Sequence, residues 1–425
     1  MKKFTSILLV IFWSALGRAQ NTATLQWNNT IAGTTSGSDN GIVSFTDNAG
    51  NTYAAGTNQN GLFVAKFDNT GAVVQHFQHV DTNNTALSPK IIQTDAMNNI
   101  YVGGDKFFDG VYQVSFAKFD PTGNLLWMKD YSNAAGFGNI QSISADNNVS
   151  PNYFCYTGYV GDSLWVGKFD VTTSDFAWNT KLIPAGYINA KGLHVSIKSS
   201  NIYVAGQTMG TFTNDDALLI RFNALGTLTY LTTLNGSASS QDIAYKVIVN
   251  SSGEAFLFGT AYNPGLQYFV SKYDIVGGTS WTSYSGVPAG ETIAQAHDLA
   301  FNATYSKVYA LGSSNHAVTN GNGNIMIFTA SSGALAHSAV INFGTENEMP
   351  KDLIVDNSEN YYIVGSKSNG FLGVKYNSSN ALSYTLSYTD LNYWLGSHLD
   401  LSGNLFICGT ASSTVTLGDV VLKAR

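Results

Sequence analysis

Apolar and polar residues take turns along most of this chain, in short runs that each close on a turn. In "FAKFDPTGNLLWMKDY" (116–131), Phe116, Lys118 and Asp120 alternate with Ala117 and Phe119, the period of two that marks a strand. Pro-Thr-Gly then interrupts the run before a second apolar stretch around Trp127. The pattern predicts two antiparallel strands joined by a tight turn, with Asp120 bonding turn amides and Gly123 taking positive φ.

The same stretch returns along the chain, as "FVAKFDNTGAVVQHF" from Phe63, "WVGKFDVTTSDFAWNTKL" from Trp165, "LIRFNALGTLTYLTTL" from Leu219 and "FVSKYDIVGGTSWTSY" from Phe269. Further copies start at Ile325 and Leu372, and a truncated one, "VVLKAR", ends the chain. Each copy follows an apolar run closing on a glycine: Gly56, Gly104, Gly158, Gly206, Gly259, Gly312, Gly365 and Gly409. These glycines lie 48, 54, 48, 53, 53, 53 and 44 residues apart, a step that suits one propeller blade. Ahead of them stands a third run ending in an Asp or Asn turn, at Asp47, Asp95, Asn250, Asp356 and Asp400 in the regular copies. With the tryptophan run this makes four strands per unit, A to D.

The last unit lacks its D strand, and "ATLQWNN" near the N-terminus resembles "NLLWMKD", placing Trp27 where Trp127 sits. The expectation is an all-β, eight-bladed β-propeller of four-stranded antiparallel blades. It is closed by an N-terminal strand that completes the last blade and removes an open edge. The repeats resemble the bacterial SBBP family of β-propeller repeats, whose units run roughly "D..GN.Y..G" and then "..KFD..GN.LW". The resemblance spans residues 23–425 and implies a propeller in an exported setting, with no established chemistry. It departs in the sixth unit, where Ile327 and Thr329 replace Lys and Asp, and in blade count, the family being named for seven.

The N-terminus reads as a signal peptide over residues 1–19, with Lys2 and Lys3 before an apolar run and cleavage expected after Ala19; residues 20–425 form one domain. The apolar run of Phe4 to Leu16 is shorter than the roughly 20 residues a membrane span needs. The reading is therefore a soluble, exported monomer, secreted or at the cell surface or in the periplasm. Removal of Lys2, Lys3 and Arg18 takes the formal charge from −7 to −10, which argues against nucleic acid or an anionic membrane as partner. Only Cys155 and Cys408 are present, each in a strand-like run, so no disulfide framework is expected.

A catalytic Lys/Asp pair is needed once. Lys118/Asp120 recurs as Lys66/Asp68, Lys168/Asp170 and Lys272/Asp274, the behaviour of a structural feature in a repeat. The tryptophans Trp27, Trp127, Trp178 and Trp281 fall at similar D-strand positions and are expected to pack between blades. No phosphate loop, calcium loop, nucleophile elbow or metal-ligand pair survives inspection, so no cofactor and no metal are expected. His76 and His79, three apart on a strand, point to opposite faces.

Function is therefore sought in the connections, since variable loops on a rigid scaffold are where binding usually resides. The B-to-C and D-to-A loops lie at one end of the ring and vary in length. Their candidate ligand-binding residues are Asp105, Phe107, Phe108, Asp109, Tyr112, Tyr187, Tyr262, Asp390, Tyr393 and Trp394. Aromatic rings beside carboxylates suit stacking on sugars and bonding their hydroxyls. Lys246, His297, Asp298, Lys351 and Asp352, at the starts of A strands, are candidates near the channel. The reading is a non-catalytic binding or scaffold module for a glycan or an extracellular protein. The alternative is a channel-centred enzyme, either polysaccharide-active or similar to the pyrroloquinoline-quinone dehydrogenases, whose vicinal Cys pair this chain does not have.

Overall fold

A computed structural model describes residues 25–32, 40–58, 61–80, 85–132, 138–146, 150–210, 214–237, 240–287, 291–316, 320–341, 348–367, 370–388, 391–399, 405–412 and 417–424. The fold is an all-β propeller of four-stranded antiparallel blades. Among the described residues there are eight such sheets, seven of them simple meanders in chain order. Their innermost (A) strands are Asn40–Thr46, Ser88–Thr94, Gly138–Ala145, Tyr187–Lys198, Ile243–Val249, Glu291–Phe301, Glu348–Val355 and Leu391–Leu399, numbered here as blades 1 to 8. The eighth sheet takes its outer strand from Leu25–Ala32, which pairs antiparallel with Leu417–Ala424. The A strands of successive blades pack side by side, and that of blade 8 meets that of blade 1. Residues 1–24, which include the expected signal peptide, and the side chain of Trp27 lie outside this description. Among the described residues no helix is long and apolar enough to cross a membrane.

The core lies between blades. Tyr203 and Ala205 of blade 4 pack with Val247 and Leu257 of blade 5, and Phe256 and Phe258 of blade 5 pack with Ala310 and Met326 of blade 6. Middle strands are buried on both faces, as in Asp215–Phe222, whereas the outer strand Val73–His79 has no fully buried residue. Each large side chain so buried contributes roughly 1.5–3 kcal/mol, which holds sheets together that share no backbone pairing.

The expected turns form. Oδ1 of Asp120 accepts the amides of Thr122 (2.8 Å) and Asn124 (2.9 Å), and Gly71, Gly123 and Gly277 have φ of 86°, 87° and 89°. The lysine of the repeat does not pair with this aspartate. Lys118 reaches back to Asp95 in the A-to-B turn (3.4 Å) and lies 4.9 Å from the Tyr101 ring, whose hydroxyl donates to the same Asp95 (3.0 Å). Lys66 over Tyr53 and Lys375 over Tyr362 repeat the arrangement, with Tyr53 and Tyr362 bonded to Asp47 and Asp356. The repeat lysine is thus half of a cation–π clamp within the blade, seen in blades 1, 2, 3 and 7.

The outer-strand aromatics do join blades. Trp178 of blade 3 donates Nε1–H to the Ala224 carbonyl of blade 4 (3.1 Å), and Trp281 of blade 5 donates to Ala330 of blade 6 (3.2 Å). Each ring sits on the next blade's turn glycine. A Cβ at Gly226 would lie 2.6 Å from Trp178, and one at Gly333 would lie 2.6 Å from Trp281.

Candidate functional site

The repeated B-strand glycine builds the channel wall. A Cβ at Gly104, Gly158, Gly206 or Gly259 would collide with the backbone carbonyl of Ser88, Asn139, Lys191 or Ile243 on the adjacent A strand. The A strand comes this close because it bulges there. Its register slips by one residue at Pro89/Ile91, Ile140/Ser142, Gly192/His194, Ala244/Lys246, Ala296/Asp298 and Pro350/Asp352. A bulge leaves one residue unpaired and re-aims the side chains beside it.

At each of the last five of these bulges the residue just after it makes a polar contact with the next blade. Ser142 Oγ accepts the amide of Val195 (3.3 Å), and His194 Nδ1 accepts that of Val247 (3.4 Å). Lys246 Nζ pairs with Asp298 Oδ1 at 2.8 Å, and Asp298 Oδ2 accepts the amide of Leu353 (2.9 Å). Asp352 Oδ2 then accepts the Ser397 hydroxyl. One polar seam thus runs from blade 3 to blade 8 along the innermost strands.

Its charges are set by their neighbours. Burial works against the Lys246 ammonium, but the Asp298 carboxylate and the hydrogen bond they share hold its pKa above the ordinary value. Burial also opposes the charge on Asp298, and Lys246, Asp352 and the Leu353 amide outweigh it, keeping Asp298 ionised. Asp352 behaves oppositely: burial, then the Asp298 charge and the hydrogen bond between the two carboxyls, push it up to about 7. His194 is held neutral by burial and by the Lys246 charge, consistent with Nδ1 accepting a bond. His297, 2.8 Å from Ser313 Oγ through Nε2, is pushed down to about 3 by burial and by the Lys351 charge.

Of the channel candidates, the structure brings together Lys246, Asp298 and Asp352, with His297 and Lys351 beside them. They sit mid-strand at the bulges rather than at strand starts, and Asp298 is buried and paired rather than solvated. Sequence reading missed Ser142, His194 and Ser397. The signal was present: Ser142 and His194 lie two residues after the A-strand residue that faces a repeat glycine and Ser397 three after Trp394, but the bulge hides that count.

The loop candidates need correction. Asp105, Phe107 and Phe108 end the strand Ile100–Phe108, and Tyr112 lies in the strand Val111–Phe119; only Asp109, with Gly110, forms the turn. Both turn residues have positive φ (50° and 77°), which matches the twist of a two-residue hairpin, so the strands extend where a loop was expected. Asp105 is buried, 3.7 Å from Lys90, and burial raises its pKa; Lys106 pairs with Asp130 at 2.6 Å. On this base the Phe107 and Tyr112 rings lie 4.7 Å apart, tilted by 50°, with Phe107 49% exposed and Tyr112 half-buried. Tyr187 begins an A strand and donates to Asp216 (3.3 Å), and Tyr262 ends the strand Ala255–Tyr262. Tyr393 and Trp394 lie on the innermost strand of blade 8, because its pairing with Leu405–Ser412 reaches further than the motif spacing indicated. Asp390 and the side chains of Tyr393 and Trp394 lie outside the described residues. Cys155 is buried in blade 3, which pushes its thiol pKa up, and Cys408 lies in blade 8. Among the described residues no group of three or more His, Cys, Asp or Glu side chains is placed to hold a metal ion.

No family model and no curated protein matches the chain. Solved structures do. A europium-containing methanol dehydrogenase is similar at 10% identity and TM-score 0.57, covering 93% of this chain and 85% of its own. The Dos1 propeller matches at 11% identity and TM-score 0.57 over 95% of both chains. The periplasmic gluconolactonase PpgL of Pseudomonas aeruginosa matches at 15% identity and TM-score 0.50, covering 83% of this chain and 96% of its own. At these identities the likeness shows the fold alone: this chain shares the β-propeller fold.

Proposed function

We propose that this chain is an exported, monomeric, non-catalytic binding or scaffold module that takes a glycan or protein partner on its variable-loop end. In this reading the eight sheets close into one ring, with strand Leu25–Ala32 as its latch and residues 1–19 as a removed signal peptide. The basic and apolar N-terminus and the SBBP-like repeats support the exported setting. The observation that carries the binding reading is the exposed Phe107 ring against the half-buried Tyr112, held at the tip of a hairpin whose base is pinned by Lys90, Asp105, Lys106 and Asp130. A rigid aromatic pair of this kind stacks on a sugar ring with little ordering entropy, which favours the glycan. A glycan array tests it: the protein is expected to bind a defined set of glycans and to lose that set when Phe107 and Tyr112 are both changed to Ala. Absence of binding by the unchanged protein removes the glycan reading.

One observation favours a second reading, a polysaccharide-active enzyme working from the channel. Asp298 and Asp352 form a carboxyl pair of which one is charged and the other is raised to about 7, the division of labour acid–base chemistry uses. Loss of a hydrolytic activity in Asp352→Asn, with glycan binding kept, would support it.

A further inference from the structure

The sixth blade breaks the repeat, and the break opens a cleft. Opposite each B-strand glycine, the C strand of most blades places a large apolar residue: Phe63, Trp165, Leu218 and Phe269 are all buried there. In blade 6 the residue facing Gly312 is Asn324. A cleft of about 340 Å3 lies beside it, between blades 5 and 6, lined by Ser285, Ser338 and Asn324 and by Val287 and Met326, with Tyr268 behind them donating its hydroxyl to the Ser313 carbonyl.

Behind the cleft the polar residues are organised. Asn324 donates Nδ2–H to Ser314 (2.8 Å), Ser314 donates to Glu291, and Asn322 donates to the other Glu291 oxygen (2.9 Å). Asn322 is 2% exposed, yet its Oδ1 has no partner. At this position blades 1, 3, 4 and 5 bury Phe63, Trp165, Leu218 and Phe269 and blade 2 buries Ser115, whereas blade 6 buries an amide tied through Ser314 to a carboxylate, a polar group that must be satisfied by its neighbours or by a ligand. Such a departure is expected where a repeat has acquired a site.

We infer that the cleft between blades 5 and 6 binds a single neutral pyranose residue, with Asn324 and the Ser285 and Ser338 hydroxyls bonding its hydroxyls and Met326 and Val287 covering its C–H face. The Glu291 carboxylate behind the floor disfavours anionic sugars, and the volume suits a small ligand. This site is separate from the Phe107/Tyr112 pair and does not rest on that reading.

The test is saturation-transfer NMR of the protein with D-glucose, D-galactose, D-mannose and N-acetyl-D-glucosamine. At least one is expected to receive transfer from the protein with its cleft intact. Asn324→Leu, which restores the residue type of blade 4, and Ser338→Leu, on the exposed outer strand, are each expected to weaken it at least tenfold. Met97→Ala, at an exposed turn of blade 2 away from the cleft, is expected to leave it unchanged. If Asn324→Leu does not fold, as read by circular dichroism, the Ser338→Leu result decides. All measurements are made in the Phe107→Ala/Tyr112→Ala background, so that transfer reports the cleft alone; no transfer to any of the four sugars, or equal binding by the cleft variants, would each overturn the inference.

Discussion

Replacing Asp352 by Asn should stabilise the protein at pH 8 and leave it nearly unchanged at pH 4.5. The Asp352 carboxyl is raised from 3.8 to about 7, first by burial and then by the Asp298 charge. Between those two values the folded chain holds a proton that the unfolded chain has released, so the Asp352 contribution to stability falls as pH rises through this window. At about 1.4 kcal/mol per pH unit the full span amounts to about 4 kcal/mol; the residue is only partly buried, and solvent screening reduces this to roughly 2–3 kcal/mol. Asn keeps a donor for Asp298 and an acceptor for Ser397 while having no proton to lose. For a cooperative unit of about 400 residues, 1 kcal/mol moves Tm by ~1 °C. Thermal melts followed by circular dichroism should therefore show the variant 2–3 °C above the unchanged protein at pH 8, with the gap closing toward pH 4.5. A variant less stable by the same amount at both pH values would refute the reasoning, because it would mean that Asp352 is ionised and needed as a charge.

Asp298→Asn should do the opposite at neutral pH, since it leaves the Lys246 ammonium without its anion: about 3–5 kcal/mol is lost. Because the Asp298 pKa is lowered, that loss should shrink as pH falls below about 4, which urea titrations at pH 7 and pH 3.5 would show. Gly226→Ala forces a Cβ at φ +80° against Trp178 and should cost roughly 1–3 kcal/mol; an equal loss in Gly110→Ala, whose Cβ would meet nothing, would argue that backbone strain alone is responsible. Deleting residues 25–32 exposes the edge of Leu417–Ala424 and should produce concentration-dependent association by analytical ultracentrifugation; a stable monomer would show that the latch is dispensable.

What could be read from the sequence followed the local rules. Period two, the Asx turns and the spacing of the glycines announced strands, turns and blades, because each depends on neighbours in the chain. The lysine of "AKFD" is structural, as its repetition indicates, but its partners, Tyr101 and Asp95, lie across a strand pair, and only the register puts them within reach. The seam was half visible. Lys246, Asp298 and Asp352 stood out as charges in apolar strands, whereas Ser142, His194 and Ser397 carry the same role with residue types that attract no attention. Phe107 and Tyr112 were among ten residues placed in loops and lie instead on paired strands, since nothing in "DKFFDGVYQ" marks Asp109-Gly110 as a two-residue turn except the Asp-Gly itself. Nothing in the local sequence marks Asn324, because its meaning lies in what most other blades bury at that position.

The binding reading is tested most directly by titrating the strongest array glycan into three proteins: the unchanged chain, the Phe107→Ala/Tyr112→Ala double variant and Asp352→Asn. The account predicts at least a tenfold loss of affinity in the double variant and unchanged affinity in Asp352→Asn. Equal binding by the double variant, with loss in Asp352→Asn, would contradict it and move the site from the loop end to the channel.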